Sequence, residues 1–421
     1  MRIIYLHQYF NTPQDAGGTR SYEMARRLVA SGHDVDMVTS TRTSSEGGFR
    51  GWRQTEEAGI RVHWLYVHYS NAMSYAERIR AFLKFAGMSA LKAASLEGDV
   101  VFATSTPLTI ALPAIYAARR QKIPMVFEVR DLWPELPIAV GALRGRILIA
   151  AARWLERFAY RNSAHIVALS PGMKDGIVRT GYPEDRVRVI PNSADLELFD
   201  VPATAGQAFR DQFDWLQDRP LVVYTGALGL INGVGYLARL AAAVERLAPQ
   251  VRFLVLGEGK EEQTVRNIAK KMGVLGRNFF MLPPIPKVEM PKVLSAANLA
   301  TSLFIDLPEM WANSANKFFD ALASGTPVAI NYRGWQADLI KQTGAGIVLD
   351  AQDIEAAANR IVQALRDQTW LERAGAAARK LAEERFSRDL LAGQLETVLQ
   401  KAITPTPPCT ASRSPSTNSA P

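Results

Sequence analysis

Residues 221–237 read LVVYTGALGLINGVGYL: a β-prone run, LVVYT, enters a loop carrying Gly226, Gly229 and Gly233, and the loop enters a helical pattern. A strand, a glycine turn that allows close backbone approach and a helix make the opening of a βα unit. This unit stands in mid-chain, and the stretches after it repeat the theme: FLVLGEG (253–259), FFMLPP (279–284), LATSLFI (299–305) and PVAINY (327–332). The first half has its own series, with RIIYLH (2–7), a helix from about Ser21 to Ser31, then VDMVTS (35–40), VVFATS (100–105), MVFEVR (125–130) and HIVALS (165–170). Alternation of this kind predicts parallel, doubly wound sheets, and the restart at Leu221 predicts two of them. The join falls where VPATAGQAF (201–209) and the polar DQFDWLQDRP (211–220) interrupt the core-forming pattern. The expected architecture is therefore α/β: an N-terminal domain over 1–200, a C-terminal domain over 201–386, and a last helix, 387–402, that completes the first domain and has Ser387 as its N-cap. A Pro/Ser/Thr-rich tail over 404–421 is expected to be disordered. Ligands of open α/β sheets bind outside the carboxyl ends of the strands, so two facing domains place a site in the cleft between them.

Composition narrows the classes. At 421 residues and 48% hydrophobic content, the chain suits two cores of conventional size. Its one cysteine, Cys409, lies in the tail, which leaves no disulfide framework or cysteine zinc site for the folded body and fits a reducing, cytoplasmic setting. MRIIYLHQYF reads as a first strand, and no window reaches the roughly 18 apolar residues of a spanning helix. A net charge of +8 suits a basic cleft or an anionic membrane surface. The excess arginines lie in helical stretches without aromatic interleaving or finger spacing, so no nucleic-acid partner is expected.

The chemistry-bearing loops follow strands. After the first strand, HQYFNTPQDAGGTRSYEMARRL (7–28) sets Gly17 and Gly18 just before a helix, where free amides could receive a phosphate or a tight turn could need the same residues. No GxGxxG follows that strand and no acidic residue ends the second, which argues against NAD-dependent oxidoreduction; the P-loop Lys and hydroxyl are missing as well. The most informative stretch is PEMWANSANKFFDALASGTPVAINY (308–332). Ser314, Ala315 and Asn316 precede a short helix carrying Lys317 and Asp320, so the helix start could hold a diphosphate, Lys317 offset its charge and Asp320 accept from ribose hydroxyls. Capping and solvated charge are the plainer roles for the same residues. The Asp-x-Asp match at Asp34 and Asp36 enters the second strand at its amino end, away from the cleft, and no metal site is assigned to it. His7 ends the first strand and suits either a core position or the donor site.

Several segments, in order, resemble glycosyltransferase family 4, of the retaining GT-B group: AGGTRSYEMARRLVASGHDV (16–35), EVRDLWPELP (128–137), LSPGM (169–173), VIPNSADLELF (189–199), YTGALG (224–229), LGEGKEEQ (256–263) and NKFFDALASGTPV (316–328). The resemblance implies two Rossmann-like domains and a nucleoside diphosphate sugar as co-substrate, with no metal or other cofactor. It implies donor contacts from Gly17, Gly18, Gly226, Asn232, Ser314, Ala315, Asn316, Lys317 and Asp320. The chain departs from the family pattern at three places. The first of the family's two glutamates falls on Ala312 and the second on Asp320; Asn232 stands where many relatives have Arg or Lys; and Arg130-Asp131 replaces His-Asp. Lys317, Lys260 and Arg266 are the candidate replacement cations, Lys317 first because it shares a helix with Asp320. Arg130 stays protonated and could hold an acceptor phosphate, while Asp131 is either the polar catalytic group or a helix cap.

Two basic amphipathic stretches complete the reading: AERIRAFLKFAGMSALKAASL (76–96), with Arg78, Arg80 and Lys84, and LRGRILIAAARWLERFAYR (143–161), with Arg144, Arg146, Arg153 and Arg157. Either could dock on anionic lipid or simply pack on a sheet. With the resemblance, they imply an enzyme at the inner face of the cell membrane that moves a sugar, UDP-linked and of the deoxyamino type such as N-acetylfucosamine, to a polyprenyl-diphosphate-linked saccharide of O-antigen or capsule. An epimerase or phosphorylase on the same fold, or an inactive nucleotide-sugar-binding subunit, are the rival readings.

Overall fold

The computed structural model describes residues 1–15, 18–41, 51–68, 73, 75–105, 107–193 and 195–404. Gly17 and the tail beyond Thr404 lie outside them. The first lobe runs β1 (Arg2–Leu6), α1 (Arg20–Ala30), β2 (Asp34–Thr41), β3 (Trp52–Glu57), β4 (Ile60–Tyr66), α2 (Tyr75–Ser95), β5 (Val100–Thr104), α3 (Ala111–Gln121), β6 (Met125–Val129), α4 (Glu135–Ala139), α5 (Arg146–Arg161), β7 (His165–Ala168), α6 (Pro171–Arg179) and β8 (Val187–Val189). Its sheet has the order β3-β4-β2-β1-β5-β6-β7-β8. All neighbours are parallel except β3, which pairs antiparallel with β4 around a turn at Ala58 and Gly59, both at positive φ. This edge pair escapes the sequence reading because β3, WRQTEE, is polar and mostly exposed, so no apolar run marks it.

The second lobe runs α7 (Ala203–Arg210), β9 (Leu221–Thr225), α8 (Gly235–Leu247), β10 (Arg252–Leu256), α9 (Glu262–Lys271), β11 (Phe279–Leu282), α10 (Met290–Ala296), β12 (Leu299–Ser302), α11 (Asn316–Ala323), β13 (Val328–Ile330), α12 (Trp335–Thr343), β14 (Gly346–Val348), α13 (Ile354–Arg366) and α14 (Gln368–Leu381). Its sheet is wholly parallel, β11-β10-β9-β12-β13-β14. Continuous apolar strands such as LVVYT and RFLVL fit a sheet covered on both faces.

The chain then returns. α15 (Arg388–Ile403) starts at Ser387, whose side chain accepts from Leu390 N at 3.4 Å, and buries Leu391, Leu395 and Leu399 with Ile3, Tyr5 and Val126 of the first lobe. In each sheet the strand order reverses direction beside a central strand, between β1 and β5 and between β9 and β12. Loops leaving the carboxyl ends at such switch points are where ligands of this architecture bind, and the loops after β1, β9 and β12 build the site described next.

Candidate active site

The second-lobe wall is the start of α11. Its N-cap position, Ala315, provides no side-chain bond to the first-turn amides, so the positive end of the helix is left to another acceptor. The loop before it is held rigidly. Ser314 Oγ accepts from Asn192 N of the first lobe at 3.0 Å, Asn313 Oδ1 accepts from Ala315 N at 3.2 Å, and Trp335 Nε1 donates to Asn313 O at 2.7 Å. From the first turn, Lys317 extends to the loop after β9. Its Nζ donates to Tyr224 Oη at 2.9 Å and to Asn232 Oδ1 at 3.3 Å, and lies 4.5 Å from the Tyr224 ring centroid. Gly226, at φ +127°, makes room: a Cβ there would stand 3.3 Å from Lys317 Cε. Among the described residues no carboxylate lies within salt-bridge distance of Lys317, and withdrawal from water pushes its pKa down to about 7. Of the other candidate cations, Lys260 is exposed and Arg266 pairs with Glu262 on α9.

Across the cleft stands the loop from β1 to α1. Gly18 faces Asn316 so closely that a Cβ would come 2.7 Å from Asn316 Nδ2. Behind it, Arg20 opens α1 and is fully committed: Nη2 and Nε reach Glu128 Oε1 at 2.8 and 3.1 Å, Nη1 donates to Pro191 O at 2.6 Å and Nη2 to Ile190 O at 3.0 Å. Thr104 Oγ1 donates to the other carboxylate oxygen at 2.6 Å. Burial opposes the charge on Glu128, but Arg20 holds its carboxyl below the usual range. This pair fixes the start of α1, and with it Gly18, against the ends of β5 and β6 and the Ile190–Pro191 link. Nearby, Arg130 Nη1 lies 3.3 Å from His7 Nε2; burial and the adjacent guanidinium keep His7 neutral, well below its ordinary pKa.

Residues 16–193 match the glycosyl transferase 4-like domain and residues 207–381 the glycosyl transferases group 1 family. The D-inositol 3-phosphate glycosyltransferase of Xylanimonas cellulosilytica is 26% identical over 412 residues, 92% of either chain. The UDP-Gal:alpha-D-GlcNAc-diphosphoundecaprenol alpha-1,3-galactosyltransferase of Escherichia coli is 25% identical over 228 residues, 51% of this chain and 55% of that one. Sucrose-phosphate synthase from Thermosynechococcus elongatus has the same fold, with a TM-score of 0.77 over 95% of this chain and 98% of that chain at 18% identity. The chain is a GT-B glycosyltransferase of the family 4/1 type.

In this glycosyltransferase the residues singled out from sequence do not all come together. Gly18, Gly226, Asn232, Ser314, Ala315, Asn316 and Lys317 converge where the two lobes meet. Asp320, one turn further into α11, is buried and forms an ion pair with Lys287, while its Oδ1 is enclosed without a hydrogen-bond partner among the described residues. Arg130 and Asp131 lie on the first lobe at the end of β6; α4 is capped at Pro134, so Asp131 is not its N-cap. Asp36 pairs with Arg61 and His63 on the far side of the first sheet, as a structural group. Arg80 and Lys84 are exposed on α2, and the Arg78 side chain lies outside the described residues.

Ala312, where the family resemblance implies a glutamate, packs against the other lobe: a Cβ on Gly172 would come 2.9 Å from Ala312 Cβ, and Ser170 Oγ donates to Ala312 O. Gly172, at the start of α6, therefore has no room for a side chain of its own against Ala312. Sequence reasoning did not find Tyr224, Asn192, Ser170, Arg20 or Lys287. A signal existed for one contact, since Glu128 is a charge inside the apolar strand MVFEV and needed a buried partner.

Proposed function

We propose that this glycosyltransferase moves a sugar, with retention of configuration, from a UDP-sugar to a saccharide carried on a polyprenyl diphosphate at the inner face of the cell membrane, in surface-polysaccharide assembly. The observation that carries the donor half is the Lys317 ammonium beside Gly226 at the uncapped start of α11. As the bond from the sugar C1 to the diphosphate oxygen breaks, negative charge grows on the departing phosphate. Fixed amides and Lys317 stabilise that charge more than they stabilise the ground state. The acceptor oxygen bonds to C1 on the face the phosphate leaves, and its proton passes to the phosphate oxygen. Lys317 against Asn232 offers the cation that Asn232 itself lacks, which speaks for turnover and against an inactive binding subunit. This charge set assigns no role to a metal.

The Escherichia coli relative is named for a diphosphoundecaprenol acceptor and a UDP-sugar donor. On the first lobe, Arg146, Arg153, Arg157 and Arg161 of α5 line a groove of about 730 Å³ that reaches Ile138 of α4, the helix that follows Asp131. Ile147, Leu148 and Trp154 stand exposed on the same helix, Ile147 by 84%. Basic groups beside exposed apolar ones suit an anionic lipid surface, and no helix among the described residues is long and apolar enough to cross a membrane. Ala312 in place of a carboxylate removes one acceptor for sugar hydroxyls, which favours a deoxyamino sugar such as N-acetylfucosamine.

The test is transfer from radiolabelled UDP-, GDP- and dTDP-sugars to polyprenyl-diphosphate N-acetylglucosamine in anionic vesicles, in EDTA, with the product anomer assigned by NMR. Retained configuration from a UDP donor supports the reading. Preference for GDP, inversion, or conversion of donor without acceptor overturns it.

A further inference from the structure

Asp320 sits in an environment that does not favour a carboxylate. Its neighbours on α11, Phe318, Phe319 and Leu322, are buried in the lobe core, and Asp320 itself is 6% exposed. An isolated charge there would be expensive or would be lost to protonation. Lys287 is the cation in direct contact with it, and the buried Arg388 guanidinium adds a second attraction without touching it. Lys287, in the turn between β11 and α10, places Nζ against Asp320 Oδ2, and its own ammonium stacks 5.1 Å from the Phe199 ring centroid of the interlobe link. Lys287 is itself almost enclosed, at 11% side-chain exposure.

The pairing is one-sided. Asp320 Oδ2 is taken by Lys287, whereas Oδ1 is enclosed and has no donor among the described residues. A buried carboxylate oxygen without a donor is a costly arrangement. It lies one helical turn from the α11 amides and Lys317, where the donor diphosphate sits in the function proposed above, and the ribose hydroxyls of a nucleoside diphosphate follow the diphosphate at about that spacing.

We propose that Lys287 is a positioning residue for the donor: its contact with Oδ2 holds the Asp320 carboxylate turned so that Oδ1 is left to accept from a ribose hydroxyl. The inference rests on the donor-site reading. Burial lowers the Lys287 pKa and Asp320 opposes that shift, with Arg388 and Glu23 as further charges in the same buried cluster. Lys287 touches the carboxylate and never the nucleotide, which separates its effect from that of a phosphate-binding cation: its loss should erase the protein's sensitivity to ribose hydroxyls and leave diphosphate contacts in place.

The experiment measures affinity by isothermal titration for whichever of UDP, GDP, ADP and TDP the wild type binds best, and for its 2′,3′-dideoxy form. Wild type, Lys287→Met, Lys287→Arg and Asp320→Asn are compared, each shown to be folded by its thermal transition. A hydrogen bond to a charged acceptor predicts that removal of the ribose hydroxyls weakens wild-type binding by about 10- to 100-fold. Lys287→Met and Asp320→Asn should bind both ligands alike, within about threefold, and Lys287→Arg should recover discrimination. If Lys287→Met does not fold, Asp320→Asn, nearly isosteric, decides: ribose discrimination kept in that variant overturns the proposal. Discrimination that survives in folded Lys287→Met overturns the role of Lys287 alone. A wild type indifferent to the ribose hydroxyls overturns the Asp320 assignment with it, and a wild type that binds none of the four overturns the donor-site reading itself.

Discussion

Replacing Lys317 by Met should raise stability and lower turnover together. The ammonium is drawn from water into the space between Tyr224, Phe304 and Asn232. A fall in pKa from the ordinary 10.5 to about 7, at about 1.4 kcal/mol for each tenfold step, caps the cost of keeping it charged at about 5 kcal/mol. Some of that is already returned by the Tyr224 ring, a cation–π contact worth about 0.5–2 kcal/mol that Met gives up. A net gain of up to about 3–4 kcal/mol in unfolding free energy is therefore expected, read from urea denaturation near pH 7. In the reaction the same charge faces the departing diphosphate, and removal of one fixed oxyanion partner costs about 2.7–4 kcal/mol of transition-state stabilisation, or about 10²–10³ in kcat. The opposite signs are what make the test sharp. A variant with kcat within about threefold of wild type, or one that loses activity because it is less stable, would refute the assignment of Lys317 as the diphosphate cation.

Four further outcomes are expected. Free Lys317 titrates near pH 7 and a bound diphosphate favours its charged form, so affinity for a UDP-sugar should fall as pH rises above about 7, by at most tenfold per unit. Titration at pH 8 in buffers of different ionisation enthalpy should show proton uptake, absent in Lys317→Met. Gly18→Ala should weaken donor binding about tenfold or more by pressing on Asn316 Nδ2, and Asn316→Ala in the same chain should recover part of it. Glu128→Gln should cost about 3 kcal/mol by leaving Arg20 buried without its anion; because the Glu128 pKa is lowered in the fold, wild type alone should shed this contribution as pH falls through the carboxylate range. Reversing Arg153 and Arg157 to Glu should abolish flotation with anionic vesicles while leaving UDP binding unchanged, and persistent flotation would remove α5 from the membrane reading.

Legibility in the sequence followed physical scale. Continuous apolar strands such as LVVYT and MVFEV are legible because a sheet covered on both faces demands them, and the restart at Leu221 separates the two sheets for the same reason. The polar edge strand β3 carried no such demand and left no trace. Within the site, residues that act through their own backbone position were visible as local pattern: Gly226 after a strand, and Asn316 with Lys317 at a helix start. What depends on two distant segments was not. Asn232 read alone is the loss of a cation; beside Lys317, 85 positions away, it is an acceptor that orients one. Ala312 read alone is the loss of a carboxylate; beside Gly172 it is the contact that lets the lobes approach. The two departures therefore have one structural sense, since each exchanges a long polar side chain for a short one where the lobes or the Lys317 side chain need the space. On the function proposed above, the hydroxyl pattern of the sugar should be read at Ala312, and the nucleotide at Lys317 and Asp320. Ala312→Glu makes the division measurable: it should hinder closure and lower kcat for sugar transfer by about tenfold or more while leaving the affinity for the bare nucleoside diphosphate within about threefold. Equal losses of both would show that Ala312 supports the fold of the α11 start and not the choice of sugar.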